Sequence, residues 1–315
     1  MSLLKLILKQ LKKIKFLVKI KKKIWNIFNP NINFHPILTK ADYFSNLFEQ
    51  TPNFRSLSFE NGLIKGEFKD IEFFIKHKSQ DIISSSIYLK KLWEPHIVNL
   101  ISSFIKNSNG SVLDIGANVG AISIPLAKKY QKTNFYLFEA HPKIYEELII
   151  NKSYNRLDNI DLYNFAISNE NKQSISFYAS NNFQNRGLSS LKINHDNIDC
   201  KKIQVNCISI DKFFEKKDIK IDLIKIDTQG TELQVLKSSS QTIKKNKPVI
   251  IFEFESEYFP EKQKHEYYKN EIINFFKHED YNLYMIDPKL NYFPELKLDF
   301  YFRGEILALP KLFNK

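Results

Sequence analysis

The residues best suited to chemistry are carboxylates that close apolar runs. Asp114 stands in Val112-Leu113-Asp114-Ile115, Glu139 follows Phe135-Tyr136-Leu137-Phe138, Asp227 follows Ile221 to Ile226, and Glu253 follows Val249 to Phe252. Short runs rich in Ile, Val and Phe, separated by helix patterns, read as buried strands of a parallel sheet. Such sheets bind ligands beyond the carboxyl ends of their strands. One acid at that edge is commonplace. Four at one edge suit a ligand that carries positive charge and hydroxyl groups.

Asp114 opens onto the turn Ile115-Gly116-Ala117-Asn118-Val119-Gly120. Gly116 permits a sharp turn with no Cβ clash, and Gly120 lets the following helix start close to the sheet. The spacing Gly-x-x-x-Gly, with an acid two positions upstream, departs from Gly-x-Gly-x-x-Gly. That second pattern lays bare amides against a pyrophosphate, which a carboxylate at the mouth of the turn would repel. An amino group or a sulfonium suits it instead, and S-adenosylmethionine carries both. Glu139 lies roughly 20–25 residues beyond the turn, at the end of the next strand, from where an acid accepts the hydroxyls of a ribose. The local alternative is a cap for the helix that opens at Pro142.

The elements that must position these acids alternate. Helix patterns cover residues 119–130, 142–153 and 230–238, between strands at 112–115, 135–138, 160–165, 221–226 and 249–252. This order predicts an α/β fold. Upstream, residues 54–77 alternate around Asn61-Gly62 as a hairpin or small meander does. Residues 84–106 read as helix, with Pro95 beginning a new turn. Glu94, just before Pro95, can cap that turn or reach the ligand cleft; local grounds favour the cap. Residues 179–203, rich in Asn and Ser, lie between strand patterns near 174–178 and 203–207. They read as a surface loop or as a lid with Ser189 and Ser190 near the cleft.

A chain of 315 residues with 27 Phe can bury one large α/β core plus additions. The net charge of +12 invites a nucleic-acid partner, but Lys, Asn and Ile are abundant throughout, as A/T-rich coding produces. Only local clustering is therefore informative. In residues 3–28, Leu4, Ile7, Leu11, Ile14, Val18, Trp25 and Phe28 form one helical face, and lysines cover much of the rest. Such a helix can lie on an anionic membrane, or pack on the main domain or on a second copy of the chain. No nucleic-acid-reading motif accompanies it. Lysines interrupt every apolar run well short of the ~20 residues that span a bilayer. Cys200 and Cys207 form neither a disulfide framework nor a zinc spacing, which fits a reducing compartment. The expected location is the cytoplasm, or the inner face of its membrane where residues 1–28 serve as a peripheral anchor. His195, Asp196 and Asp199 read as a solvated loop, and no metal is expected.

Three blocks carry a family pattern: Val112 to Gly120, Phe138-Glu139-Ala140-His141-Pro142, and Lys225-Ile226-Asp227-Thr228-Gln229-Gly230-Thr231-Glu232. With Ala166-Ile167-Ser168, Ser209-Ile210-Asp211, Phe252-Glu253 and Leu307-Ala308-Leu309-Pro310, they make residues 80–310 resemble the FkbM-type S-adenosylmethionine-dependent methyltransferases. The resemblance implies a class I methyltransferase fold, Rossmann-like, with a seven-stranded mostly parallel sheet, helices on both faces and an antiparallel final strand. The expected organisation is a basic amphipathic helix at 1–30, an extension with a β-hairpin at 31–79 and the methyltransferase domain at 80–315. O-methylation of a hydroxyl on a sugar, glycan precursor or related metabolite is implied. A non-catalytic scaffold on the same fold is the alternative, and the intact acids at every strand end weigh against it.

Carried over by position, Gly116 and Gly120 hold the methionine portion, Asp114 its amino group, Glu139 the ribose and Asn164 to Ile167 the adenine, with Asp227 near the transferred methyl. Candidate cofactor contacts are therefore Asp114, Gly116, Asn118, Gly120, Glu139, Ala140, Ala166 and Asp227. A hydroxyl acceptor must also lose its proton, so the catalytic candidates are Asp227, His141, Glu94 and Glu253. Asp227 leads them, while His141 has a suitable ordinary pKa but stands where a loop residue can merely shape the pocket. Lys225 is expected to pair with Glu232 or Glu253, and Glu232 to fix the loop from within.

Overall fold

The computed structural model describes residues 62–76, 81–169, 172–180, 200–255, 261–286 and 304–311. All lie in the larger of two compact units of the chain, Arg55–Lys315. The basic helix expected over 1–28, the Asn61 end of the expected hairpin turn and the stretch 181–199, with Ser189, Ser190 and His195, fall outside the described residues.

The first elements are strands β1 (Leu63–Phe68) and β2 (Ile71–Lys76), followed by helices α1 (Ile82–Lys90) and α2 (Pro95–Ile105). The alternating units come next: β3 (Ser111–Ile115), α3 (Ser123–Lys129), β4 (Asn134–Phe138), α4 (Pro142–Asn155) and β5 (Ile160–Tyr163). Strands β6 (Ala166–Ile167), β7 (Ser174–Ser180) and β8 (Cys200–Ile208) follow. The chain continues through α5 (Ile210–Phe214), β9 (Ile221–Ile226), α6 (Glu232–Ser238), α7 (Ser240–Asn246) and β10 (Val249–Phe254). Helix α8 (Lys262–His278) and strands β11 (Tyr281–Met285) and β12 (Gly304–Pro310) complete the order.

Seven strands form one sheet in the order β11-β12-β10-β9-β3-β4-β5, with β12 antiparallel to both its neighbours and β10, β9, β3, β4 and β5 mutually parallel. The expected class I architecture is thus present, antiparallel final strand included. The order reverses at β3, so right-handed crossovers put α3 and α4 on one face and α6 and α7 on the other. Both faces of the central strands are therefore covered. This is why β3 is buried at every position and reads as an unbroken apolar run apart from Asp114. Phe138, Phe252, Phe254 and Phe276 are all fully buried in the resulting core, each contributing about 1.5–3 kcal/mol.

Several local expectations change. The hairpin turn lies at Lys69-Asp70, where Lys69 takes φ 55°, and Phe68 pairs with Ile71 across it. The helix expected over 84–106 is two helices, because Lys91 and Glu94 both adopt left-handed backbone, φ 67° and 41°. Helix α3 starts at Ser123 rather than 119, since Asn118 and Gly120 also have positive φ. The third strand stops at Tyr163: the Asn164 side-chain amide donates to the carbonyls of Glu139 (2.7 Å) and Ala140 (3.2 Å) and turns the chain. Strands β7 and β8 pair with each other and, with β6, form a separate small sheet.

The hairpin is anchored by two asparagines one turn apart on α4. Asn155 takes both backbone groups of Phe74, accepting from its N–H at 3.0 Å and donating to its carbonyl at 2.7 Å. Asn151 accepts from Lys76 N–H at 2.8 Å and donates to the Val119 carbonyl at 2.9 Å. The side-chain amides thus stand in for a neighbouring strand along the edge of β2. The Val119 bond ties the same helix to the glycine turn.

Candidate active site

The ends of β3, β4 and β9 are stitched together by backbone. Gly116 and Ala117 N–H both donate to the Phe138 carbonyl, at 2.9 and 3.0 Å, and Asp227 N–H donates to the Ile115 carbonyl at 2.9 Å. Gly116 sits at φ 82°, and a Cβ there would stand 1.9 Å from the Asp227 carbonyl oxygen. Only glycine allows the two loops to approach this closely. At Gly120, φ 81°, a Cβ would press on Leu148 of α4 at 2.7 Å. That glycine brings the turn close to a helix.

Asp114 is 1% exposed. Its Oδ1 lies 3.2 Å from Lys225 Nζ, and its Oδ2 accepts from Ser123 Oγ at 2.5 Å. Lys225 also lies 3.9 Å from Asp227 Oδ2. The expected pairing of Lys225 with Glu232 or Glu253 is therefore replaced. Asp114 and Lys225 are register partners on adjacent strands, so their side chains leave the sheet on one face. Burial works against the Lys225 charge, but the negative charges of Asp114, Asp227 and Glu94 outweigh it and hold its pKa above the usual range. Breaking a buried pair leaves an uncompensated charge, which costs about 3–5 kcal/mol. Lys225→Met should lower stability by that amount in urea denaturation, and Asp114→Asn in the same chain should recover part of the loss.

Glu139 fastens the turn after β3 to the loop after β4. Its Oε2 accepts from Asn118 N–H at 2.9 Å and its Oε1 from His141 N–H at 2.7 Å. Burial lifts its pKa to about 7, against the lowering effect of these two bonds and with the Asp114 and Asp227 charges adding to the rise. The N-cap of α4 is His141 rather than Glu139: its Nδ1 accepts from Lys143 N–H at 3.2 Å, and the ring meets the Phe177 ring edge-on. Ala166 lies buried in β6 beside Phe177, Val205 and Cys207, and Ala140 packs on the same cluster.

The loop after β9 is bent by two left-handed residues, Gln229 (φ 55°) and Gly230 (φ 101°). Glu232 Oε1 holds it from within, accepting from the N–H groups of Thr228 (3.1 Å) and Gly230 (3.0 Å) and from the Thr228 hydroxyl (3.1 Å). Burial lifts the Glu232 pKa to about 7 as well. The Asp227 side chain, 31% exposed, stands out from this fixed loop. Gln229 Nε2 donates to Asp227 Oδ1 at 2.8 Å and to Glu253 Oε2 at 3.0 Å. Glu253 lies inside β10 rather than beyond it, opposite Glu305 of β12.

Glu94 does not cap α2. Its backbone is left-handed, and its side chain makes no capping hydrogen bond. Its half-buried carboxyl instead meets the field of Glu305, Asp227 and Glu253. Burial first, and those charges next, raise its pKa well above the carboxylate range, with Lys225 opposing. Asp114, Gly116, Asp227, Glu253 and Glu94 therefore share one neighbourhood, joined to Glu139 and Asn118 through the stitched turns. His141 and Ala166 lie beside the small sheet, where both pack with Phe177. Three residues escape sequence reasoning: Gln229, and His96 with Glu305, whose side chains meet. His96 stands just inside a helix start, and nothing in its spacing marks it. Among the described residues no group of three or more His, Cys, Asp or Glu is placed to hold a metal ion.

A sequence profile of the methyltransferase FkbM domain matches residues 114–283. Among solved structures, the methyltransferase FkbM of Methylobacillus flagellatus KT aligns at 11% identity and TM-score 0.41, over 85% of this chain and 60% of its own. A putative caffeoyl-CoA O-methyltransferase from Staphylococcus aureus aligns at 11% identity and TM-score 0.42, over 74% of this chain and 93% of its own. M. jannaschii TYW2 in complex with AdoMet aligns at 14% identity and TM-score 0.36, over 80% of this chain and 86% of its own. A comparison with curated proteins finds no match.

Proposed function

We propose, from the premise that this chain belongs to the FkbM-domain methyltransferase family, that it methylates a hydroxyl on a sugar or glycan precursor. S-adenosylmethionine supplies the methyl group: the new O–C bond forms as the C–S bond breaks with its electron pair left on sulfur, and the hydroxyl proton must depart. The residues at the strand edge fit that donor. The turn at Gly116 is kept clear of any Cβ, the surrounding carboxylates favour a cationic sulfonium, and each Glu139 oxygen retains a lone pair for a ribose hydroxyl. Asn118 and Gly120 shape the turn against the methionine portion, and Ala140, Asn164 and Ala166 border the adenine.

Asp227 carries the reading. It projects from a loop locked by Glu232, with Gln229 fixing its carboxylate, and it accepts a hydrogen bond from a hydroxyl beside the one that is methylated. Displacement at carbon needs alignment, and a positioned acceptor supplies it. Glu94 and Glu253 receive further hydroxyls of the same molecule. An edge lined with acceptors, whose central lysine is buried and already paired, suits a neutral polyol and disfavours a phosphorylated one. Transfer of labelled methyl should mark cell-envelope glycans or lipid-linked sugars. Labelling confined to small phenols or RNA would overturn the acceptor assignment.

The raised pKa of Glu139 sets a pH dependence. Below about 7 the carboxyl holds its proton and loses acceptor capacity, so donor affinity falls as pH drops, by at most tenfold per pH unit for one proton. Calorimetry should show affinity rising up to about pH 7 with release of a proton, and Glu139→Gln should flatten the profile.

Among the described residues no helix is long and apolar enough to cross a membrane. The lysine-lined apolar face of residues 3–28 supports peripheral attachment to anionic lipid, near lipid-linked acceptors. Co-sedimentation with phosphatidylglycerol vesicles should be lost on deletion of residues 1–28; binding unchanged by that deletion would end the idea.

A further inference from the structure

Asp227 holds the acceptor sugar, which leaves open where the proton of the reacting hydroxyl goes. Asp227 and Glu253 both accept the Gln229 amide, which stabilises their ionised forms and weakens them as bases. His141 has its Nδ1 lone pair committed to Lys143 N–H. The helix that begins behind Glu94 offers another group. His96 Nε2 meets Glu305 Oε2, with both side chains half-buried, at 23% and 19% exposure. Glu305 in turn lies opposite Glu253 on the neighbouring strand, and its charge is felt first among those raising Glu94. The pair therefore extends a row of polar groups that runs from Asp227 through Gln229 and Glu253 to Glu305 and His96.

We propose that His96, oriented by Glu305, is the proton acceptor for the hydroxyl that Asp227 positions. An ionised carboxylate only accepts, so His96 must present Nε2–H to Glu305, and this leaves the ring lone pair on Nδ1. As the acceptor oxygen takes the methyl group, its proton passes to Nδ1. The resulting imidazolium is stabilised by Glu305 and the neighbouring acids, and the partial exposure of the ring lets the proton pass to water. Glu305 acts through His96 and is a positioning residue. Helix α2 begins behind a left-handed Glu94, and His96 lies in its first turn.

This inference rests on hydroxyl methylation, and two measurements separate its failure from that of the acceptor assignment. Full-length protein is assayed with labelled donor against a panel of methyl hexosides. His96→Gln should lower kcat roughly 10²-fold and leave donor affinity by calorimetry unchanged. Glu305→Gln should give a smaller fall. A wild-type kcat in His96→Gln would overturn the proposal. The second measurement needs no acceptor: long-range proton–nitrogen spectra of histidine-labelled protein at neutral pH, with Glu305→Gln as reference. A His96 ring protonated on Nε2 with a bare Nδ1 supports the assignment, and one protonated on Nδ1, with no lone pair to offer there, overturns it. Should no hexoside be methylated, the sugar reading fails while the spectrum still decides the role of His96.

Discussion

Asp227→Ala is expected to reduce kcat by roughly 10³–10⁴ while the donor still binds within about tenfold of the wild-type affinity. Two effects combine. Loss of the group that fixes the acceptor oxygen costs alignment, on the order of 10². Loss of a negative charge that stabilises the imidazolium formed as the hydroxyl gives up its proton adds a further ten- to hundredfold. The fold should tolerate the change, because the loop is held by Glu232 through the backbone of Thr228 and Gly230. Lys225 also keeps Asp114 at 3.2 Å. Single-turnover kinetics with saturating donor, beside calorimetry, measures both quantities. A kcat within fivefold of wild type would remove Asp227 from the reaction, and loss of donor binding with intact folding would recast it as a donor ligand only.

Gly116→Ala is expected to cost both stability and donor binding. The residue sits at φ 82°, where a Cβ adds about 1–2 kcal/mol. The same atom would stand 1.9 Å from the Asp227 carbonyl oxygen, a backbone atom that cannot swing aside, which adds about 1–3 kcal/mol of overpacking. Relief requires the loop after β9 to move away from the turn after β3, carrying Asp227 with it. We expect a loss of about 2–4 kcal/mol in urea denaturation and at least a tenfold fall in donor affinity. Gly304→Ala is the matched control, since Gly304 has φ 91° but nothing within 4 Å of the place its Cβ would take. If the two substitutions cost the same, the close approach at Gly116 carries no weight.

Much of the frame was legible because its signals are local. Gly116 and Gly120 mark a turn through the conformations they permit, and apolar runs of strand length mark a sheet covered on both faces. Glu232 could be read as the brace of its loop because it lies four residues from Thr228. Other local signals misled. Lys69-Asp70 is a weak turn dipeptide, yet β1 and β2 turn there, with Lys69 in left-handed backbone and Phe68 buried beside it. Glu94 before a proline reads as a cap, but its left-handed backbone leaves the capping bond unmade.

The sequence by itself determined the class of fold, the turn at the head of β3 and the four carboxylates at the strand ends, since each depends on residue type and short spacing. Only the tertiary structure decided what those acids touch. Asp114 meets Lys225 across 111 positions of chain, and His96 meets Glu305 across 209. Periods of two and 3.6 residues specify which face of an element is buried. They carry no information on the order and register in which strands lie side by side, and that register sets which charge finds which partner.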